Sequence, residues 1–140
     1  MRSGFGFDPR GAARYLTLMP HVELTVEYKF AAAHRLPRYQ GKCFNLHGHN
    51  YKLAVALRGE PHPDSGLLID FGDVDKVVQE HVLARCDHAN LNDFIENPTA
   101  ENIAVWIWAR LEGKLPGLSE VRLWEIDNAS VTYRGPAGAR

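Results

Sequence analysis

The sequence is poor in cysteine, and it lacks both a long apolar run and an excess of charge of one sign. Only Cys43 and Cys86 occur in 140 residues, so a disulfide framework is excluded and a reducing cytoplasm is predicted. A formal net charge of −1 gives no electrostatic reason to expect a nucleic-acid or membrane-surface partner. No stretch is apolar for long enough to span a bilayer, and the N-terminus lacks the apolar segment of a signal peptide.

The composition, with 45% hydrophobic and 24% charged residues, is that of one globular domain with enough apolar material for a core. Residues 1–20 contain several Gly and Arg residues and show no periodicity, so we interpret them as an N-terminal tail. A transit peptide is the alternative, although the segment is short of Ser and has no sustained amphipathic pattern. Residues 21–140 are predicted to form a single domain.

Hydrophobic periodicity predicts six elements between the tail and the C-terminus. Apolar residues alternate in the strands, and in the helices they recur with helical spacing. Asp70 or Asp73 can cap the first helix, and Asn97 with Pro98 marks the start of the second. The predicted strand, strand, helix, helix, strand and strand cover 21–33, 52–58, 74–82, 98–112, 121–127 and 130–134. This order predicts an α+β fold with both helices on one face of an antiparallel sheet.

Two histidines in the pattern His47-Gly48-His49 suggest half of a metal site. In an extended strand they point to the same face, and an antiparallel neighbour could bring His34 beside them. Three neutral imidazoles with one open position are typical of catalytic zinc. In a rival interpretation Cys43 is the fourth ligand, which would close a structural site. The remaining single histidines are interpreted as structural or exposed: His21, His62 and His81.

Cys43 and the pair Asp87-His88 are candidates for proton transfer. A nearby cation or histidine would favour the reactive thiolate of Cys43, although a lone cysteine is more often a small buried hydrophobe. His88 could move a proton and Asp87 could orient it. The alternative is a loop held by Asn and Asp side-chain turns.

Three further residues are candidates for ligand binding. Glu125 lies between apolar residues of a strand, where it either pairs with an Arg or accepts two parallel hydrogen bonds from the amidine-like edge of a heterocycle. Thr99 and Glu101 suit a helix start, and their side chains could also face a ligand. Basic residues that could meet phosphates flank the proposed site at Arg35, Arg38, Lys42, Lys52 and Arg58.

With these residues in place, the chain resembles the superfamily of 6-pyruvoyltetrahydropterin and 6-carboxytetrahydropterin synthases from about Tyr28 to Gly135. The motifs that carry the resemblance are Phe30-Ala31-Ala32-Ala33-His34-Arg35-Leu36, Cys43-x3-His47-Gly48-His49, Leu68-Ile69-Asp70-Phe71, Asp87-His88-Ala89-Asn90-Leu91-Asn92, Asn97-Pro98-Thr99-Ala100-Glu101-Asn102 and Tyr133-Arg134-Gly135. So many motifs in the same order make the resemblance specific.

The resemblance implies a role for each candidate residue and a substrate, 7,8-dihydroneopterin triphosphate. Zinc would bind His34, His47 and His49, and Cys43 would be the base or nucleophile. The implied proton relay is Asp87 and His88, and the implied pterin-binding residues are Glu125, Thr99 and Glu101. The implied fold is a four-stranded antiparallel sheet with two helices on one side, whose copies join into barrels of trimers or hexamers with sites at subunit interfaces.

Two products compete within this superfamily. One reaction eliminates triphosphate to give 6-pyruvoyltetrahydropterin, and the other also cleaves a carbon-carbon bond, which releases acetaldehyde and leaves 6-carboxytetrahydropterin, a precursor of queuosine. The Cys43-x3-His47 spacing, the segment from Leu67 to Phe71 and Asn97-Pro98-Thr99 resemble the carboxy enzyme, which the resemblance therefore favours. Asn50-Tyr51-Lys52 is closer to the pyruvoyl type, which is the alternative. A third hypothesis, from a different class, is a metal-stabilised pterin-binding or assembly module without turnover.

Overall fold

The computed structural model describes residues 20–137, so the predicted tail lies outside the described residues except for Pro20. The α+β class is confirmed, with strands and helices in one layer each. The strands are β1 (Val22–His34), β2 (His47–Gly59), β3 (Ala89–Asn90), β4 (Leu118–Ile126) and β5 (Ala129–Tyr133). Both members of the first strand pair, β1 and β2, are 13 residues long.

The sheet has the strand order β3-β1-β2-β4-β5 and is mixed, which corrects the prediction of four antiparallel strands. β1, β2, β4 and β5 form the predicted antiparallel set. The additional strand, β3, has two residues and pairs in parallel with Ala32 and Ala33 of β1. A strand of two residues is too short to show an alternating pattern in the sequence. Its position depends on contacts made by the residues that precede it.

The first helix, α1 (Phe71–Val78), begins at the predicted cap Asp70, whose Oδ1 accepts a 2.7 Å hydrogen bond from the backbone N–H of Gly72. It continues through a π-helical segment at Gln79–Leu83 into the α-helical turn Ala84–Cys86. The predicted helix ended at residue 82, so the helical segment runs longer than expected. Within residues 20–137, no helix is long and apolar enough to cross a membrane.

The second helix, α2 (Ala100–Leu111), starts two residues later than predicted. Thr99 is the cap, and its Oγ1 accepts a 3.1 Å hydrogen bond from the backbone N–H of Asn102. The carbonyl oxygen of Asn97, the predicted cap, instead accepts hydrogen bonds from the Thr99 N–H and from the Asn102 side chain, both 2.8 Å long. The residues before α2 therefore form a tight turn outside the helix.

The core lies between the two helices and one face of the sheet, as the periodicity predicted. Alternate residues of β2 from Tyr51 to Leu57 are fully buried, and they belong to the same core cluster as Ile103, Ile107 and Leu111 on the buried side of α2. Phe30 stacks on Tyr51 with 5.0 Å between ring centroids. Between the start of β2 and Tyr51, this face of the sheet carries imidazole instead of apolar side chains. The core therefore ends directly at the candidate site.

Candidate metal centre and active site

Strand pairing brings the three candidate histidines together. His34, the last residue of β1, lies directly opposite His47, the first residue of β2, and Ala32 lies opposite His49. Because His47 and His49 are two residues apart on one strand, they share a face. The ring centroids of His34 and His47 are 4.7 Å apart, and those of His47 and His49 are 4.8 Å apart. The three rings thus line one side of a shared space.

Two backbone carbonyls determine which nitrogen of His34 and His47 carries the proton. The Nδ1–H of His34 donates to the carbonyl oxygen of Pro98, and that of His47 to the carbonyl oxygen of Asn45, both at 2.7 Å. With the proton on Nδ1, each Nε2 presents a lone pair. The two Nε2 atoms lie 3.1 Å apart, so two acceptors face each other. A cation between them would turn this repulsive contact into a favourable one.

His49 contributes the third ring nitrogen of the set. Its Nε2 is buried, has no hydrogen-bond partner among the described residues, and lies 3.1 Å from Glu125 Oε1. Burial lowers the pKa of His49, and nearby His34 and His47 lower it further, while the Glu125 carboxylate acts in the opposite direction. A lowered pKa favours the neutral imidazole, which is the form that binds metal.

The four ligand-type atoms of His34, His47, His49 and Glu125 all lie within 4.8 Å of one another. Three imidazole nitrogens and a carboxylate oxygen match the donors that zinc and other first-row divalent ions prefer. The opposed lone pairs and the unpartnered buried nitrogen are what such an ion would satisfy. The residues present therefore fit a divalent metal ion, and the fourth ligand-type atom comes from Glu125 rather than Cys43.

Glu125 lies at a β-bulge and close to the three histidines. In the pairing of β4 with β5, Trp124 lies opposite Ser130 and Ile126 opposite Ala129, so Glu125 has no partner of its own. Leu123, two residues earlier, faces the core, and Glu125 follows it on that face. Within the described part of the chain, Glu125 Oε1 lies 3.1 Å from His49 Nε2 and 3.8 Å from His34 Nε2, and it does not pair with the Arg that was one of the two expectations.

Cys43 lies in the loop that joins the two strands bearing the histidines. It is the middle residue of a single 3₁₀ turn, Lys42–Phe44. Its carbonyl oxygen accepts a 2.7 Å hydrogen bond from the backbone N–H of Leu36, two residues after His34. Its thiol is free and half-buried. This hydrogen bond ties Cys43 to the residues that follow His34, and Cys43 lies outside the four-residue cluster.

Two hydrogen bonds, one to the N–H and one to the carbonyl oxygen of a single β1 residue, hold Asp87 and His88 against β1. Asp87 Oδ1 accepts from the N–H of Ala31 at 3.0 Å, and the N–H of His88 donates to the Ala31 carbonyl oxygen at 2.6 Å. The Ala31 N–H and, to a lesser degree, the His88 ring lower the pKa of Asp87. His88 has a positive φ of 59°, uncommon for a residue other than glycine, and its Nδ1 lies 3.1 Å from Asp87 Oδ1.

The His88 side chain is 83% exposed, and within residues 20–137 it makes no hydrogen bond to Cys43. One copy of the chain therefore brings the three histidines and Glu125 together but leaves Asp87 and His88 as a separate pair. Of the remaining candidates, Thr99 caps α2 and Glu101 is exposed in its first turn. Among the basic candidates, Arg38 and Lys52 form ion pairs with Glu96 and Glu27.

Three contributors to the site were missed by sequence reasoning. The carbonyl groups of Asn45 and Pro98 orient two histidines, but every residue has a carbonyl, so no sequence pattern reveals them. Tyr51 lies under the cluster, with ring centroids 5.6 Å from His49 and 6.0 Å from His34. Its position two residues after His49, on the same strand face, was a signal that could have identified it.

The fold and the site together define a small α+β protein with a candidate metal centre at the end of an antiparallel strand pair. The sequence profile described as 6-pyruvoyl tetrahydropterin synthase matches residues 23–136. The chain belongs to the 6-pyruvoyl tetrahydropterin synthase family.

Similar proteins carry names from both branches of this family. The 6-pyruvoyl tetrahydrobiopterin synthase of Pongo abelii is 37% identical over 135 residues, covering 81% of this chain and 92% of that protein. The 6-carboxy-5,6,7,8-tetrahydropterin synthase of Synechocystis sp. is 36% identical over 121 residues, covering 79% and 91%. The structure of Caenorhabditis elegans 6-pyruvoyl tetrahydropterin synthase superimposes with a TM-score of 0.78 at 33% identity, covering 84% of this chain and 98% of that one.

Proposed function

We propose that this protein is a zinc-dependent lyase that converts 7,8-dihydroneopterin triphosphate and water to 6-carboxy-5,6,7,8-tetrahydropterin, acetaldehyde and triphosphate. The observation that carries the proposal is the set of three imidazoles, of which two present opposed Nε2 lone pairs 3.1 Å apart and the third has an unpartnered buried Nε2. His34, His47 and His49 would hold the zinc ion. Zinc bound there would polarise the hydroxyl groups of the substrate side chain and lower their pKa.

In this proposal the residues that transfer protons are Cys43, Asp87 and His88. A thiolate at Cys43 would accept a proton from the substrate, and its position in the loop between the two histidine-bearing strands supports this role. Asp87, with its lowered pKa, stays ionised near neutral pH and would hold the His88 ring while that ring moves a proton. The Ala31 backbone holds Asp87 and the His88 backbone in place, which suits a relay that must keep its geometry.

Glu125, Thr99 and Glu101 would bind the pterin. A carboxylate accepts two parallel hydrogen bonds from the N–H groups at the amidine-like edge of the ring, as it does from Arg, and Glu125 has no Arg or Lys partner within the described chain. Thr99 uses its oxygen as an acceptor for α2, which leaves its hydroxyl proton free to donate. Glu101 matches the family motif and is exposed in the same first turn.

The 6-pyruvoyl product is the second candidate, because the matching family description and the similar proteins of P. abelii and C. elegans bear that name. The short loop between Cys43 and His47 supports the carboxy product, as does the similar enzyme of Synechocystis. Both candidates use the same metal site and the same proton-transfer residues, and they differ in whether a carbon-carbon bond is broken.

We further propose that the site is completed by a second copy of the chain in a homo-oligomer, a trimer or hexamer, because His88 is exposed and makes no contact with Cys43 in its own copy. The single domain at residues 21–140 would be the repeating unit, and pterin triphosphate its small-molecule partner. The free thiols of Cys43 and Cys86 support a cytoplasmic location.

Product analysis after incubation with 7,8-dihydroneopterin triphosphate tests the proposal. Equal release of acetaldehyde and triphosphate is expected for the carboxy reaction. Triphosphate release without acetaldehyde would assign the pyruvoyl reaction instead. The Cys43→Ala protein at equal zinc content is the matched control, and if neither product forms with the unchanged, zinc-containing protein, the proposed lyase function is wrong.

A further inference from the structure

The helical segment that leads into Asp87 contains one residue more than a regular α-helix would hold in the same turns. The N–H of Ala84 donates to the carbonyl oxygen of Gln79, five residues earlier, as is typical of a π-helix. The N–H of Asp87 donates to the carbonyl oxygen of Leu83, four residues earlier, at 2.9 Å, so the α-helical pattern has resumed before the segment ends. One residue is therefore inserted between α1 and the proposed proton relay.

The inserted residue explains why four side chains at a spacing of four residues are all fully buried. These side chains are Val74, Val78, Val82 and Cys86. At about 100° per residue, an α-helix would turn the side chain of Cys86 about 120° away from that of Val74. The inserted residue removes about 100° of this rotation, so both ends of the segment face the same core.

Asp87 and His88 follow directly on the last turn of this segment. Asp87 Oδ1 accepts a hydrogen bond from the N–H of Ala31 at 3.0 Å, and the N–H of His88 donates to the Ala31 carbonyl oxygen at 2.6 Å. Both hydrogen bonds require one orientation of the backbone at residues 87 and 88. If the π-helical segment became α-helical without losing a residue, this backbone would rotate away from β1. The hydrogen-bond pattern of the helix therefore sets the direction of the proposed relay.

A side chain of the other helix contacts the centre of the π-helical segment. Arg110, in the last turn of α2, donates through Nε to the carbonyl oxygen of His81 at 3.0 Å. His81 is the central residue of the segment Gln79–Leu83. Carbonyl groups in such a segment depart from the α-helical pattern, and a donor from outside the helix can satisfy one of them. The guanidinium also lies 5.7 Å from the ring centroid of Trp106, which limits the positions that it can take.

We infer that Arg110 is a positioning residue for the proposed proton relay and that it acts through the π-helical segment. This inference rests on the proposed function, which gives Asp87 and His88 their roles. Arg110 favours the π-helical form over the regular α-helix that the same residues can adopt, and the π-helical form directs the relay to β1. The metal ligands are independent of this contact, because the three histidines lie on β1 and β2.

Two substitutions of Arg110 test the positioning role. Arg110→Met keeps most of the apolar stem but removes the donor, and it should lower kcat by about 10-fold with KM and zinc content unchanged, because a displaced relay slows proton transfer. Arg110→Lys should recover most of this loss, since its ammonium group can donate to the same carbonyl oxygen.

Arg122→Met is the matched control. Arg122 also donates through Nε at 3.0 Å, to Ser130 Oγ, and it lies 4.6 Å from the ring centroid of Trp124. Its substitution therefore removes the same kinds of contact at a place remote from the π-helical segment. It should leave kcat unchanged, and thermal unfolding checks that every variant is folded.

Deletion of Glu80 tests whether Arg110 acts through the π-helical segment. Glu80 is an exposed residue of that segment, and without it the spacing from Val74 to Cys86 suits a regular α-helix that keeps the same buried face. The deletion protein should therefore retain its fold and its turnover. Arg110→Met added to the deletion should have no further effect on kcat, because no π-helical segment remains for the arginine to stabilise.

Amide hydrogen exchange, followed by nuclear magnetic resonance, gives a readout that does not depend on turnover. In Arg110→Met the N–H groups of Ala84 and His88 should exchange about 5-fold faster than in the unchanged protein, as expected for the loss of one supporting hydrogen bond. Arg122→Met should leave both rates unchanged.

The inference is overturned if Arg110→Met matches Arg122→Met in exchange and in kcat, or if its loss of kcat persists in the protein without Glu80. Should the deletion prevent folding, recovery by Arg110→Lys together with the exchange rates decides, and a failure of either overturns the inference. Failure of the proposed lyase function gives a different result. In that case the products above are absent from every variant, while exchange at Ala84 and His88 still depends on Arg110.

Discussion

At the residue scale, the site depends on how single side chains are held by their neighbours. The carbonyls of Pro98 and Asn45 direct the lone pairs of two imidazoles at each other, and the Ala31 backbone holds Asp87 beside His88. Cys43 accepts a hydrogen bond through its backbone carbonyl oxygen, and its thiol is free. Substitutions of these side chains therefore separate metal binding from proton transfer.

Cys43→Ala should keep its zinc and lose most of its turnover. The thiol lies outside the metal cluster, so removing it leaves four ligand-type atoms in place while it removes the proposed base. We expect turnover to fall by about 100-fold or more. Zinc content and product formation are measured on the same sample. If the variant loses zinc and unfolds, Cys43 is a structural ligand and the protein is better described as a metal-stabilised binding module.

Cys86→Ala is the control for loss of a thiol as such. Cys86 is fully buried, and burial raises its pKa to about 12, so its thiol is inert near neutral pH. The variant should retain turnover and lose about 1 kcal/mol in the free energy of unfolding, the typical effect of a small buried truncation.

The contribution of Asp87 should depend on pH. Hydrogen bonding from Ala31 lowers the pKa of Asp87 in the folded protein, so the ionised carboxylate stabilises the fold at pH values above its unfolded pKa. This stabilisation is lost as the pH falls through the lowered pKa. Asp87→Asn should therefore be less stable than the unchanged protein at neutral pH, and the difference should shrink in acid. Denaturant unfolding across that range measures it, and a difference independent of pH would contradict the prediction.

At the element scale, the start of α2 links helix stability to the metal site. Thr99 caps the helix, and the preceding residue, Pro98, orients His34 through its carbonyl. Thr99→Ala should lower the free energy of unfolding by about 1 kcal/mol, the usual cost of a lost cap, and should also weaken zinc binding. Asp70→Ala removes the cap of α1 and should cost a similar amount without affecting zinc. Equal zinc affinities in the two variants would contradict the link.

A second prediction at this scale concerns the turn that leads into β4. Gly117 has a φ of 78°, and a Cβ there would clash with the backbone oxygen of Arg58. The N–H of Arg58 donates to the Gly117 carbonyl oxygen at 2.7 Å, so neither backbone can move away freely. Gly117→Ala should cost about 3 kcal/mol or more in unfolding free energy. Gly113, with a φ of 77°, has nothing within 4 Å of an added Cβ, and Gly113→Ala should cost only about 1 kcal/mol. Equal losses would show that the backbone contact is unimportant.

At the scale of the whole molecule, the separation of Cys43 from His88 makes assembly part of the proposed mechanism. If the relay comes from a second copy, Cys43→Ala and His88→Ala proteins are each inactive alone but complement each other when mixed. Random exchange of subunits would leave about a quarter of the sites with both intact groups. Activity of the mixture after subunit exchange measures this. A monomer in solution, or a mixture with no activity, would contradict the shared site.

The sequence predictions that the structure confirms rest on the regular spacing of side chains along strands and helices. Alternation in β1 and β2 predicted both the core and the shared face of His47 and His49, because side-chain direction in a strand follows from position alone. The prediction of Asn97 as a helix cap was wrong by two residues, since Asn97 and Thr99 both suit that role and only the hydrogen bonds of Asn102 distinguish them. The roles assigned to the site residues stay predictions.

The sequence by itself determined the α+β class, the start of the first helix at one of two aspartates and the presence of metal-binding side chains at matching ends of two strands, because these depend on local pattern and composition. Only the tertiary structure decided that Glu125 joins the histidines, that Pro98 and Asn45 orient them, and that β3 makes the sheet mixed. The physical reason is that a bulge, a backbone carbonyl and a two-residue strand have no periodic signature. They arise where segments distant in the chain meet and must satisfy each other's hydrogen bonds.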